Sequence, residues 1–144
     1  MSTLPLLLKA AAVLQLGIAL VNLFLVRLLN WRGELARVPL LLREVFQVHL
    51  WFISITLAIF GAMSWRFAAE IGAGTDLALR WMSAGVGFFW AIRTVLQVTY
   101  YSSSHWRGQP ARLLVHVLVL FLYGGFASVY LSSAFGRPAG SSLP

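Results

Sequence analysis

The chain is 144 residues long, 60% hydrophobic and 10% charged, with a mean hydropathy of +0.82. A soluble domain carries about 25% charged residues, so this composition excludes an ordinary water-soluble globule and points to an integral membrane protein. Its net charge of +7 comes from 11 basic and 4 acidic residues, and the lack of cysteine excludes disulfide exchange, thiolate nucleophiles and iron–sulfur ligation.

The first apolar segment covers residues 4–29. It lacks the basic cluster before it and the small-x-small site after it that mark a signal peptide, so it is expected to be a span. Gln15 and Asn22 lie seven apart, on one helical face, where they suit hydrogen bonding between helices. The first connection carries Arg27, Arg32, Arg37 and Arg43 in or beside it, with Trp31 suited to an interface. Leu35, Val38, Leu40, Leu41 and Leu42 make it too apolar for a free loop. Part of it is expected to lie flat among headgroups, with Pro39 opening the next helix.

The second span covers about residues 43–65; its apolar part runs from Val45 to Trp65, with the helix starting a turn or two before Val45. Glu44 and Gln47 mark its entry, and His49, Thr56 and Met63 recur every seven residues. A loop over 66–76 follows, with Gly72, Gly74 and a Thr75/Asp76 helix cap.

The third segment, 77–101, contains Arg93 well inside. A charge at that depth costs about 2.5–3.5 kcal/mol on insertion scales, so it needs a partner, water or a purpose. Arg93, Gln97, Tyr100 and Ser104 share one helical face, and Gly87 with Ala91 forms a small-xxx-small pair. A short polar connection over 102–110 leads to the fourth segment, 111–135. That segment carries His116, Tyr123 and Tyr130 at seven-residue intervals, with Gly124, Ser128 and Ser132 as small contacts. The 136–144 tail, rich in Gly, Ser and Pro, is expected to be disordered.

Each segment has the roughly 20 residues that span about 30 Å of hydrocarbon. Trp65, Trp81, Tyr101 and Trp106 fall near the boundaries, as an aromatic belt would. The predicted fold is all-α, a single integral-membrane up-down four-helix bundle over residues 1–135. Arg27, Arg32, Arg37, Arg43, Arg107 and Arg112 flank connections one and three, against Lys9, Arg66, Arg80 and Arg137 on the other side. That excess puts the two connections in the cytoplasm and both termini outside. Because the arginines cluster at segment ends rather than in a basic stripe, nucleic acid is excluded as a partner.

Measured along the helices from the side of connections one and three, four polar groups fall in one layer. Asn22 lies about 7 Å in, His49 about 9 Å, Arg93 about 12 Å and His116 about 6 Å. With Gln97, Tyr100 and Glu44 nearer the surface, these seven residues form the candidate ligand-binding set. Arg93 could grip a quinone carbonyl or an anionic lipid, and His49 with His116 could ligate the iron of haem b axially. A zinc site would lack a third ligand, and His105 is expected to be solvated.

The run Trp31, Arg32, Gly33, Glu34, Leu35, Ala36, the run from Arg43 to His49, and the pattern Phe89, Trp90, Ala91, Ile92, Arg93, Gln97, Tyr100, Tyr101 resemble a group of bacterial four-span membrane proteins with no assigned activity. That resemblance covers most of the chain and implies a bacterial inner membrane. The four-span glutathione-using membrane enzymes are a poorer match, because Leu50, Trp51, Phe52 and Ile53 follow His49 where they carry asparagine and glutamate.

Three functions fit these residues. One is a non-enzymatic accessory or scaffold subunit, partnered by the bilayer, other membrane subunits or a second copy, with a buried polar clasp around Arg93. The second is a binder of quinone, haem or anionic lipid at Arg93, His49 and His116. The third is a lipid- or isoprenoid-modifying enzyme with His49 or His116 as general base. A transporter is disfavoured by the single bundle and the lack of an intramembrane acid.

Overall fold

The computed structural model describes residues 3–100 and 110–136, which are almost wholly helical with no strand among them. The third connection, Tyr101, Ser104, His105, Trp106 and the tail from residue 137 lie outside the described residues. The helices are α1 (Thr3–Leu23), α2 (Leu25–Leu28), α3 (Arg32–Ala36), α4 (Leu40–Arg66), α5 (Ala68–Ala73), α6 (Leu77–Thr99) and α7 (Pro110–Phe135).

Their ends follow from local chemistry. Pro39 precedes α4 as its N-cap, and Pro110, which has no N–H to lose, opens α7. Asp76 caps α6 by accepting from the Leu79 amide at 2.9 Å. Two left-handed residues end the short helices. Asn30, at φ 54°, places its amide on the Arg27 carbonyl and the Trp31 amide on the Val26 carbonyl, a Schellman turn closing α2. Gly74, at φ 67°, does the same work after α5 by donating to the Glu70 and Ile71 carbonyls.

Two expected boundaries are corrected. The segment over 4–29 is not one helix: it breaks at Phe24, whose amide bonds the Val21 carbonyl in a tighter turn. The loop over 66–76 is mostly helix, because its alanine-rich start can form α5 before Gly74 stops it.

Three helices are long and apolar enough to cross a membrane: α1, α4 and residues 113–135 of α7, with mean hydropathies of 2.1, 1.8 and 2.0. The 23-residue α6 is not among them, since Arg80, Arg93 and Gln97 dilute its apolar residues. Large apolar side chains nonetheless face outward from all four long helices, among them Leu20, Phe52, Trp81, Ile92 and Phe121. A surface this apolar is rare on a soluble monomer.

The chain forms two compact units. In the unit of residues 9–68, α1 and α4 run antiparallel. Lys9 lies 5.6 Å from the Trp65 ring at one end, and Asn22 donates to Ser54 at 3.4 Å toward the other. Between them Gly61 meets α1 so closely that a Cβ there would lie 2.8 Å from Leu16 and 3.1 Å from the Ala12 carbonyl oxygen. Leu50, Ser54, Leu57, Gly61 and Ser64 are the buried face of α4. The His49, Thr56 and Met63 stripe is offset from it by one position.

The second unit, residues 1–8 and 69–144, is built on an antiparallel pairing of α6 with α7. At one end Gly87 lets the helices touch, where a Cβ would come within 3.1 Å of the Leu131 backbone nitrogen. The hydroxyls of Ser83 and Ser133, both buried, meet each other and the Tyr130 carbonyl, so that one donates to the carbonyl and the other donates either to it or to its neighbour. Arg80 donates Nε to the Ala134 carbonyl at 2.9 Å, filling an acceptor left open in the last turn of α7.

Candidate functional site

The other end of the α6–α7 pair gathers three of the seven candidate residues. On α6, Trp90, Arg93 and Gln97 lie at i, i+3 and i+7, a spacing that keeps them on one face. On α7, His116, Tyr123 and Phe126 answer them in antiparallel order.

Gln97 is 7% exposed, and its Nε2 lies 3.0 Å from Nδ1 of His116. With the amide so placed Gln97 donates, Nδ1 accepts, and the imidazole proton is left on Nε2. One turn along α6, half-buried Arg93 sets its guanidinium carbon 5.3 Å from the Tyr123 ring centroid, a cation–π contact. The same Tyr123 ring lies 4.9 Å from Trp90, which is 2% exposed and also packs 4.7 Å from Phe126. Tyr123 is thus the shared surface on which the deepest aromatic and the buried-depth cation of α6 both rest.

Charge balance at Arg93 is incomplete within the described residues. The acids of its own unit are Glu70 on α5 and Asp76, the cap at the opposite end of α6. Asp76 lies 17 positions away along the helix, about 25 Å. Among the described residues no acceptor is paired with the Arg93 guanidinium, so its N–H groups keep hydrogen-bonding capacity beyond the ring contact.

The remaining candidates sit elsewhere. Asn22 belongs to the first unit and is bonded to Ser54, which in turn donates to the Leu50 carbonyl at 2.8 Å. His49 and Glu44, also in that unit, are exposed and line a cleft of about 440 Å³ along α4 with Val45, Phe52 and Thr56. Tyr100 is 82% exposed. Among the described residues no three ligand-type side chains gather to hold a metal.

Tyr123 and Trp90 were not among the residues singled out from the sequence as a site. The signal was available: once Gln97 faces His116 in an antiparallel pair, a turn back on α6 must face one to two turns forward on α7. Ser83 and Ser133 follow from the same register at the far end. Their hydroxyls are committed to the Tyr130 carbonyl with no base beside them, so they join helices rather than supply a nucleophile.

No protein-family model matches the chain, and neither does any curated protein or solved structure. The functional reading therefore rests on geometry.

Proposed function

We propose that the chain is a small non-enzymatic membrane protein, an accessory or scaffold subunit, in which α6 and α7 are locked by a polar clasp. The observation that carries this reading is the mutual engagement of Gln97 with His116 and of Arg93 with Tyr123 inside one helix pair. In lipid, apolar side chains give helices no preference for each other over acyl chains, so close packing and hydrogen bonds must hold the pair. Gly87, the serine pair and the clasp supply those terms at successive levels. In this reading α6 is the third of four spans of an up-down bundle in a bacterial inner membrane, sheltered by its pairing with α7. Connections one and three then face the cytoplasm and both termini face outside.

The test is Arg93→Ala in the full chain, purified and scored for unfolding and assembly beside solvent-extracted small molecules. The clasp predicts weakened folding or assembly with no extractable molecule lost. A stoichiometric ligand that disappears with Arg93 while the fold survives overturns it.

One observation favours a second reading. The unmatched N–H groups of Arg93 among the described residues suit a carbonyl or anionic group on a lipophilic ligand, such as a quinone or an anionic lipid. A haem version places His116 or His49 on the iron, and the visible spectrum of the purified protein decides it by a Soret band.

A further inference from the structure

A second polar site lies in the first unit. The break at Phe24 and the Schellman turn at Asn30 fold the chain after α1 so that Arg27 and Arg32 line one cavity. The cavity measures about 260 Å³, with Leu23, Phe24 and Val26 as its apolar wall and Gln47 of α4 as a further polar group. Its lining is amphipathic, with two cations and an amide beside an aliphatic and aromatic surface.

The two guanidiniums are not neutralised from within. Glu34, the acid nearest in sequence, is 3.6 Å from Arg37. Among the described residues neither Arg27 nor Arg32 has a hydrogen-bonding or acidic partner for its side chain. Position along the pair matters as well. Asn22 and Ser54 join α1 to α4 about one turn inside the cavity, so it opens where the membrane-capable part of α1 ends.

We infer that Arg27, Arg32 and Gln47 form a binding site for the phosphate of an anionic phospholipid, with the start of an acyl chain against Leu23, Phe24 and Val26. Whole-ligand pockets hold about 300–1,000 Å³, so a cavity of 260 Å³ fits a headgroup and first methylenes, leaving the tails in the bilayer. Paired guanidiniums suit phosphate oxygens because each presents a planar fork of donors. The Gln47 amide adds a neutral donor from α4, so an occupied site would tie the first connection to α4. The inference rests on the membrane reading of the chain, but not on the clasp.

The test uses the full chain in nanodiscs of phosphatidylglycerol mixed with phosphatidylcholine, with enrichment of each lipid around the protein read by native mass spectrometry. Arg27→Gln with Arg32→Gln is compared with Arg37→Gln and Arg43→Gln, which removes the same charge outside the cavity. An arginine in direct contact with an anionic headgroup contributes about fivefold to affinity, so the first pair should lose about 25-fold and the second pair, which does not line the cavity, far less. Lysine at 27 and 32 should restore part of the preference. Equal losses from both pairs, or none from the first, overturn the site. Inorganic phosphate displacing the lipid from the wild-type chain as effectively as soluble short-chain phosphatidylglycerol overturns the acyl contact and leaves a free-phosphate site. Vesicle flotation of the same proteins separates the premises: a chain that fails to float refutes the membrane reading, whereas a floating chain without headgroup preference refutes only this site.

Discussion

At the scale of single residues, a buried amide and an imidazole carry more of the second unit than their number suggests. Gln97→Leu removes the Gln97–His116 bond, and losing a hydrogen bond of this kind costs about 0.5–1.5 kcal/mol. A double-mutant cycle of Gln97→Leu with His116→Phe, read by unfolding in mild detergent, should return a coupling of about 0.5–2 kcal/mol. Additive losses would show that the bond contributes nothing. Both residues were legible in the sequence, because polar side chains in an apolar helix are conspicuous. Tyr123 was visible only as a member of the His116, Tyr123 and Tyr130 repeat and not as a site residue, since an aromatic in such a segment reads equally as lipid-facing until its neighbour across the pair is known.

At the scale of elements, the α1–α4 and α6–α7 pairs each have a glycine at a point of close contact. Gly87→Ala places a methyl against the Leu131 backbone, which cannot yield as a side chain can, and should destabilise the α6–α7 pair by about 1–3 kcal/mol. Gly85→Ala, two residues away and facing open space, should be neutral or stabilising by up to about 1 kcal/mol, because alanine is the better helix former. Comparing the thermal unfolding of these two variants checks the interface; equal effects would place it elsewhere. The small-xxx-small pattern at Gly87 and Ala91 was visible beforehand, but it did not say which member touches a partner. The heptad of His49, Thr56 and Met63 does not mark the contact face of α4 for a related reason. A seven-residue repeat identifies a stripe without saying which side of the helix the neighbour occupies, and on α4 the neighbour lies one position round, on Leu50, Ser54, Leu57, Gly61 and Ser64.

At the scale of the whole molecule, the four-span reading requires α6 to cross the bilayer with the three more apolar helices. The chain has no cysteine, so single cysteines introduced for labelling report without background. With four spans, cysteines at Gly33 and Gly108 react from one side of the membrane and a cysteine at Thr75 from the other. Reaction of positions 75 and 108 from the same side would make α6 a non-spanning helix. By itself the sequence determined the all-helical class, the long apolar segments, and the ends set by Pro39 and Asp76, because those depend on composition and on bonds within a few residues. The tertiary structure alone decided that Arg93 rests on Tyr123, that Gly87 meets Leu131, and that Arg27 and Arg32 meet Gln47 in one cavity. Such outcomes depend on which faces of separate helices come together, and that energy belongs to pairs of residues distant in the chain.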